Sequence, residues 1–209
     1  MTVARTPIDL RRNPDARLQV SRIAAELFWR DGVAGTRGED IAAEAGIATR
    51  TLWRYFRSKE SCVEPVLVES GRRFMTVLNA WPLEMSIDEY FAAARIDGEV
   101  EYTPDEVAAM RMVTLGFREP VLRSAWLMVC DESERQAAEL FALRLGLKAR
   151  SLDVTQIAAS VSAAIRALTD ALSVEYIERG VRMTADDVLA SLSAAVIQAS
   201  NGRLGPAVR

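Results

Sequence analysis

An all-α fold of about nine helices is what this chain predicts, and three observations carry that expectation. Apolar residues recur three and four positions apart through most of the 209 residues, the spacing that lines one face of a helix. Capping residues and glycines fall at the ends of these runs, where helices start and stop. No segment alternates apolar and polar residues with a sustained period of two, which is what a half-buried strand requires.

The elements follow in order. Residues 1–13 are polar and without period; Arg5, Arg11 and Arg12 either touch a phosphate or minor groove or belong to a solvated tail. A first helix runs from about Asp15 to Asp31, with Val20, Ile23, Ala24, Leu27 and Phe28 on one face and Gly32 as its stop. A second spans about Gly38 to Ala45, Gly46-Ile47-Ala48 forms a tight turn, and a third runs from Thr49 to about Tyr55. Ile47, Leu52 and Phe56 point back to a three-helix core. Ser58 caps a helix expected to continue to about Ala80, bent by Pro65 two turns in. Ser86 and Glu89 form a capping box for a short helix to about Ala94. Thr103-Pro104-Asp105-Glu106 combines a cap, a first-turn proline and a returning glutamate. That helix ends near Gly116; the next covers about Pro120 to Leu145, stopped by Gly146. Two more span about Leu152–Arg179 and Ala185–Ser200, the last capped by Thr184.

Charge divides the chain. Residues 1–59 hold 11 Arg+Lys against 7 Asp+Glu, whereas residues 60–209 hold 15 against 22. A basic head on an acidic body suits a protein that meets a polyanion with one end. Lys59 and Lys148 are the only lysines, so a general preference for Arg contributes to this pattern. Histidine is absent, which removes the usual proton shuttle and the commonest metal ligand. With no paired buried acids or nucleophile motif either, no enzyme, metal or cofactor is expected. Cys62 and Cys130 read as small buried hydrophobes in a reducing cytosol, or as a redox pair. No uninterrupted run of about 18 apolar residues is present to span a bilayer, and no signal-peptide core precedes the first helix. A cytoplasmic location is expected.

The densest information lies in residues 36–59. Two short helices joined at a glycine, the second rich in Thr, Arg, Trp and Tyr, specify a helix-turn-helix that sets one helix into a DNA major groove. With Leu52 and Phe56 inward, the outward set is Thr49, Arg50, Thr51, Trp53, Arg54 and Tyr55. Arg50 suits a bidentate guanine contact, Thr49 a base edge or thymine methyl, and Trp53 a thymine methyl or deoxyribose. Tyr55, Lys59, Thr36 and Arg37 suit phosphates. The bland reading is a surface helix with solvated arginines in an ordinary bundle.

Ala25-Glu-Leu-Phe28, Gly32, Gly35-Thr36, Asp40-Ile-Ala42, Ala45-Gly46-Ile47, Thr51-Leu-Trp-Arg-Tyr-Phe56 and Ser58-Lys59 stand at set spacings within residues 17–60. With them, this segment resembles the N-terminal domain of the TetR family of transcriptional repressors. Two positions depart from the family. Arg37 replaces a hydroxyl residue that caps helix 2, which passes the cap to Thr36, and Gly38 replaces a medium apolar side chain. The resemblance implies a DNA-binding domain over 1–60, an effector-binding and dimerisation domain over 61–209, a palindromic operator and a homodimer through the last two helices. The residues agree with pairing: Ile157 to Ile165, Ala167, Leu168, Ala171 and Leu172, then Leu189, Leu192, Ala195, Val196 and Ala199, make broad faces of small apolar residues. Internal packing alone is the other account of those faces.

Between Phe74 and Cys130 the chain is loaded with large adaptable residues: Phe74, Met75, Trp81, Phe91, Met110, Met112, Leu115, Phe117, Trp126 and Met128. They make either an ordinary core or a pocket for a small apolar effector, which Arg111, Arg118, Arg123 or Asp131 would orient if they do not simply face water. The expectation is a ligand-responsive DNA-binding regulator. The rival class is an α-helical small-molecule or lipid-binding protein whose head contacts protein, and a third possibility is a DNA binder with no effector.

Overall fold

The computed structural model describes residues 15–93 and 98–208. The N-terminal arm with Arg5, Arg11 and Arg12, and residues 94–97 after the fifth helix, lie outside the described residues. Nine α-helices are described: α1 Ala16–Asp31, α2 Gly38–Glu44, α3 Thr49–Tyr55, α4 Glu64–Asn79, α5 Ile87–Ala93, α6 Pro104–Gly116, α7 Pro120–Leu145, α8 Leu152–Ile177 and α9 Ala185–Ala199. Among the described residues, β pairing is confined to one isolated bridge between Glu99 and Thr184.

Capping chemistry sets the helix starts. Thr103 Oγ1 accepts from the Glu106 N–H while the Glu106 carboxylate accepts from the Thr103 N–H, 3.2 and 2.8 Å. Ser86 and Glu89 do the same for α5. Ser151 opens α8 and Thr184 opens α9 through their hydroxyls. The expected Ser58–Ala80 helix is corrected. A single 3-10 turn at Glu60–Val63 comes first, with Ser58 Oγ accepting the Ser61 N–H at 3.2 Å, and α4 begins only at Glu64. Pro65 therefore stands in the first turn of α4, where its missing N–H costs nothing. Proline starts this helix and does not bend its middle.

The chain forms two compact units, one of residues up to Ser70 with Tyr102–Val129, the other of Gly71–Glu101 with Cys130–Arg209. The first unit extends past residue 60 because two sets of bonds hold later segments to α1. Ser21 Oγ, fully buried on α1, accepts the Val66 N–H of the first α4 turn at 3.0 Å. The Arg22 guanidinium forks onto both oxygens of Asp105 at the start of α6, each at 2.6 Å. Further along the same helix pair, Arg111 of α6 reaches Glu26 at 3.3 Å and lies 5.2 Å from the Trp29 ring centre. Around these braces Phe28, Ile41, Leu52, Leu67, Met112 and Leu122 are buried.

The second unit packs Leu78, Trp81, Ile87, Phe91, Phe141, Ile157, Val161, Val196 and Leu204 together. Arg144 lies buried at its edge with its guanidinium 3.3 Å from the Trp81 ring centre. It donates to the carbonyls of Pro82 and Met85, both at 2.9 Å, and more distantly to those of Trp81 and Pro206. Burial draws its pKa below the ordinary arginine value, and carbonyl dipoles with an aromatic face take the role of a counter-ion. The last residues are tied in by Ile87 N–H to Gly205 O at 2.9 Å and Val208 N–H to Leu83 O at 2.7 Å.

The expectation that no segment reaches bilayer length needs one correction. By length and composition α8 is long and apolar enough to cross a membrane, because its isoleucines, valines, leucines and alanines raise the average although hydroxyl and charged residues interrupt the run. Only 28% of its most apolar window is buried within the chain. The same helix carries Arg166 and Asp170 as a pair at 3.3 Å.

Candidate nucleic-acid interface

The head is built from a turn that sets α3 across α2. Gly46 adopts φ 66°, and the N–H groups of Gly46 and Ile47 close back onto Ala43 and Ala42 at 3.0 and 2.9 Å. This ends α2 with a left-handed residue, as glycine permits. Ala48 is extended, and its carbonyl accepts the Leu52 N–H at 3.1 Å. Leu52, fully buried, and Phe56 anchor the inner side of α3.

With that side pinned, Arg50, Trp53 and Arg54 are exposed, and Thr49, Thr51 and Tyr55 are half-buried. The guanidinium of Arg50 has no ion pair with any described residue. Arg54 lies over the Tyr55 ring, 5.0 Å from its centre. Trp53 is 42% exposed, and the edge of its indole covers Gly38 at the start of α2. Arg17, which sequence reasoning did not single out, extends from α1 over the Phe56 ring at 5.3 Å. The signal available for it was a basic residue in the first turn of α1, too common to be informative.

Three expectations at the α2 entrance are corrected. Thr36 is 2% exposed, and its hydroxyl donates to Gly32 O at 2.9 Å, so it neither caps α2 nor presents itself to a phosphate. Arg37 is the N-cap residue, and its N–H donates to the Asp40 carboxylate at 2.7 Å while its side chain stays exposed. Lys59 is not in the first turn of an α-helix. Its ammonium donates to the carbonyls of Val33 at 2.6 Å and Thr36 at 2.8 Å, holding the α1–α2 turn to the segment after α3. Two of its three protons are thus committed within the head.

The candidate ligand residues fall in both units. Phe74, Trp81 and Phe91 belong to the second, where Trp81 and Phe91 are buried and Trp81 donates its indole N–H to Met85 O at 2.9 Å. Met110, Met112, Leu115, Phe117, Trp126 and Met128 belong to the first. Met112 and Trp126 are buried there, whereas Phe117 and Met128 are exposed, with Arg123 over the Phe117 ring and Arg57 against the Met128 sulfur.

Residues 22–66 match the family of bacterial regulatory proteins called the tetR family. The HTH-type transcriptional regulator TcmR of Streptomyces glaucescens is 32% identical over 145 residues, which are 66% of this chain and 62% of TcmR. The chain thus spans about three fifths of the length of that relative. Two crystal structures share the fold. A protein from Rhodococcus sp. described as a TetR-family transcriptional regulator has a TM-score of 0.50 at 17% identity, covering 88% of this chain and 98% of its own. Another so described, from Syntrophomonas wolfei, has a TM-score of 0.55 at 16% identity, covering 88% and 94%. At such identities the likeness concerns the fold alone. The family match itself is confined to residues 22–66, the segment that holds most of α1, all of α2 and α3, and the first turn of α4.

Proposed function

We propose that this protein is a ligand-responsive DNA-binding transcriptional regulator, a dimeric repressor that leaves a palindromic operator when a small apolar effector binds. The observation that carries the reading is α3 itself. One side is anchored by Leu52, and the other offers Arg50, unpaired among the described residues, with Arg54 beside it. In this reading Arg50 contacts a base edge, Thr49 and Thr51 flank it, and Arg37, Arg54 and Tyr55 meet phosphates.

A seven-residue helix gives modest affinity alone, so a second head on a two-fold axis is part of the proposal. The mostly uncovered apolar window of α8 supports pairing through α8 and α9 with a second copy. A small apolar effector is part of the proposal, and no reaction, metal or cofactor is assigned. Because Arg22 and Arg111 brace α6 to α1, an effector that moves α6 would be felt by the head. Effector and operator affinities are then linked reciprocally. The cytoplasm, which holds the DNA, is the proposed location.

The test is selection of duplexes from a randomised pool, followed by affinity measurement at two salt concentrations. Two symmetric half-sites and a steep loss of affinity with salt are expected. Arg50→Ala should fold normally and lose about ten- to a hundredfold per half-site at one base position. Unchanged affinity in that variant would remove the site assignment.

A further inference from the structure

We propose that Trp53 is a positioning residue for DNA recognition, locked onto Gly38 so that the two residues set the roll of α3 against α2. The inference deepens the DNA-binding reading and rests on it. A Cβ placed on Gly38 would lie well inside van der Waals contact of Trp53 Cζ2 and Cη2, and 3.3 Å from Cε2. The benzo edge of the indole therefore occupies the space that any other residue at 38 would need. Gly38 is buried although it begins a surface helix, and the indole is what covers it.

Conformation does not explain the glycine. Gly38 has no left-handed φ, and in an ordinary helical conformation glycine is among the poorest helix formers. Space explains it. The Trp53 ring is rigid and spans from the recognition helix to the first residue of α2, one position beyond the Arg37 N-cap held by Asp40. Leu52 fixes the depth of α3 from its inner side. The Trp53 contact, about 100° around α3 from Leu52, fixes its rotation, which decides where Arg50 and Arg54 aim. The indole is a rigid wedge, and its loss tilts every outward side chain of α3 together.

This separates positioning from base reading. A base-reading side chain, when removed, relaxes discrimination at its own base pair. A positioning side chain weakens all positions evenly, because the whole helix is misaimed. Gly38→Ala should have the same even effect by driving the indole outward. Phe lacks the atoms corresponding to Cζ2 and Cη2, so Gly38→Ala combined with Trp53→Phe should relieve the clash.

The experiment uses full-length wild type, Gly38→Ala, Trp53→Phe and the double variant. Each is measured on the duplex that the wild type enriches from a randomised pool, with every base pair substituted in turn. Gly38→Ala is expected to lose about tenfold in affinity, spread evenly over the positions. The double variant should return to the level of Trp53→Phe. Without DNA, the Trp53 share of acrylamide quenching, isolated by subtracting the matching Trp53→Phe chain, should rise in Gly38→Ala. If Gly38→Ala does not fold, recovery of folding in the double variant supports the interlock and failure to recover overturns it. Relaxed discrimination at one base pair in Trp53→Phe overturns the proposal in favour of base reading. Unchanged quenching and affinity in Gly38→Ala also overturn it, while leaving DNA binding intact. A wild type that enriches no sequence removes the DNA-binding reading, and the positioning role with it.

Discussion

The Lys59 ammonium donates to the Val33 carbonyl at 2.6 Å, closing the turn after α1 onto the segment that leaves α3. A second bond to Thr36 O at 2.8 Å makes this a two-point clamp. The lysine thus shapes the surface on which α2 begins, and its worth should be legible in folding before it is legible in binding.

Lys59→Met is expected to lower stability by about 2 kcal/mol, the scale of charged hydrogen bonds in a partly covered site. Urea unfolding checks this. The slope of log affinity against log salt should change by less than the one unit per half-site that losing a full phosphate contact brings. A full unit of change would show that the ammonium serves DNA first.

Ser21→Ala leaves the Val66 N–H of the first α4 turn without its acceptor in a buried place. A loss of about 1–3 kcal/mol is expected, because an unsatisfied buried donor bears its full desolvation penalty. Accelerated hydrogen exchange at Val66, measured against the rest of α4, would locate the effect.

The Arg22–Asp105 fork joins a half-exposed guanidinium to a mostly covered carboxylate. A double-mutant cycle with Arg22→Ala and Asp105→Ala should give a coupling of about 1 kcal/mol, discounted for solvent on the arginine side. The coupling should shrink in high salt. A coupling of zero would mean that α6 is held to α1 by apolar packing alone.

Ala167 lies exposed on α8, on the side of the helix that the chain leaves uncovered. Ala167→Arg should convert a dimer to a monomer by sedimentation and abolish binding to a two-half-site duplex. The isolated chain should keep its helical circular dichroism. Retained dimerisation would place the pairing surface elsewhere.

Burial pushes the Cys62 thiol up to about 12. The folded protein therefore keeps this proton at pH values where the unfolded chain, with an ordinary thiol near pH 8.5–9, has released it. The contribution is whole below about pH 9 and is lost as pH rises toward 12. The stability difference between wild type and Cys62→Ala should narrow across that window. At neutral pH the buried thiol should react with a thiol reagent only as fast as the head opens.

Much of this protein was determined locally. Thr103 and Glu106, Ser86 and Glu89, and Thr184 act on backbone groups within three residues, so caps and helix starts are written where they operate. The same holds for α3, whose bounds and outward set follow from Leu52, Gly46 and the residue order between them. Tertiary structure decided what depends on distant partners. Thr36 turned inward because Gly32 offers a carbonyl, and Lys59 was drawn to carbonyls 23 and 26 residues away. Pro65 became a helix start because Ser58 closed a tighter turn before it. Gly38 looked like a missing side chain until the Trp53 ring was found in its place. Periodicity and capping are read along one segment, whereas the commitment of a side chain depends on what folding brings within about 3 Å of it.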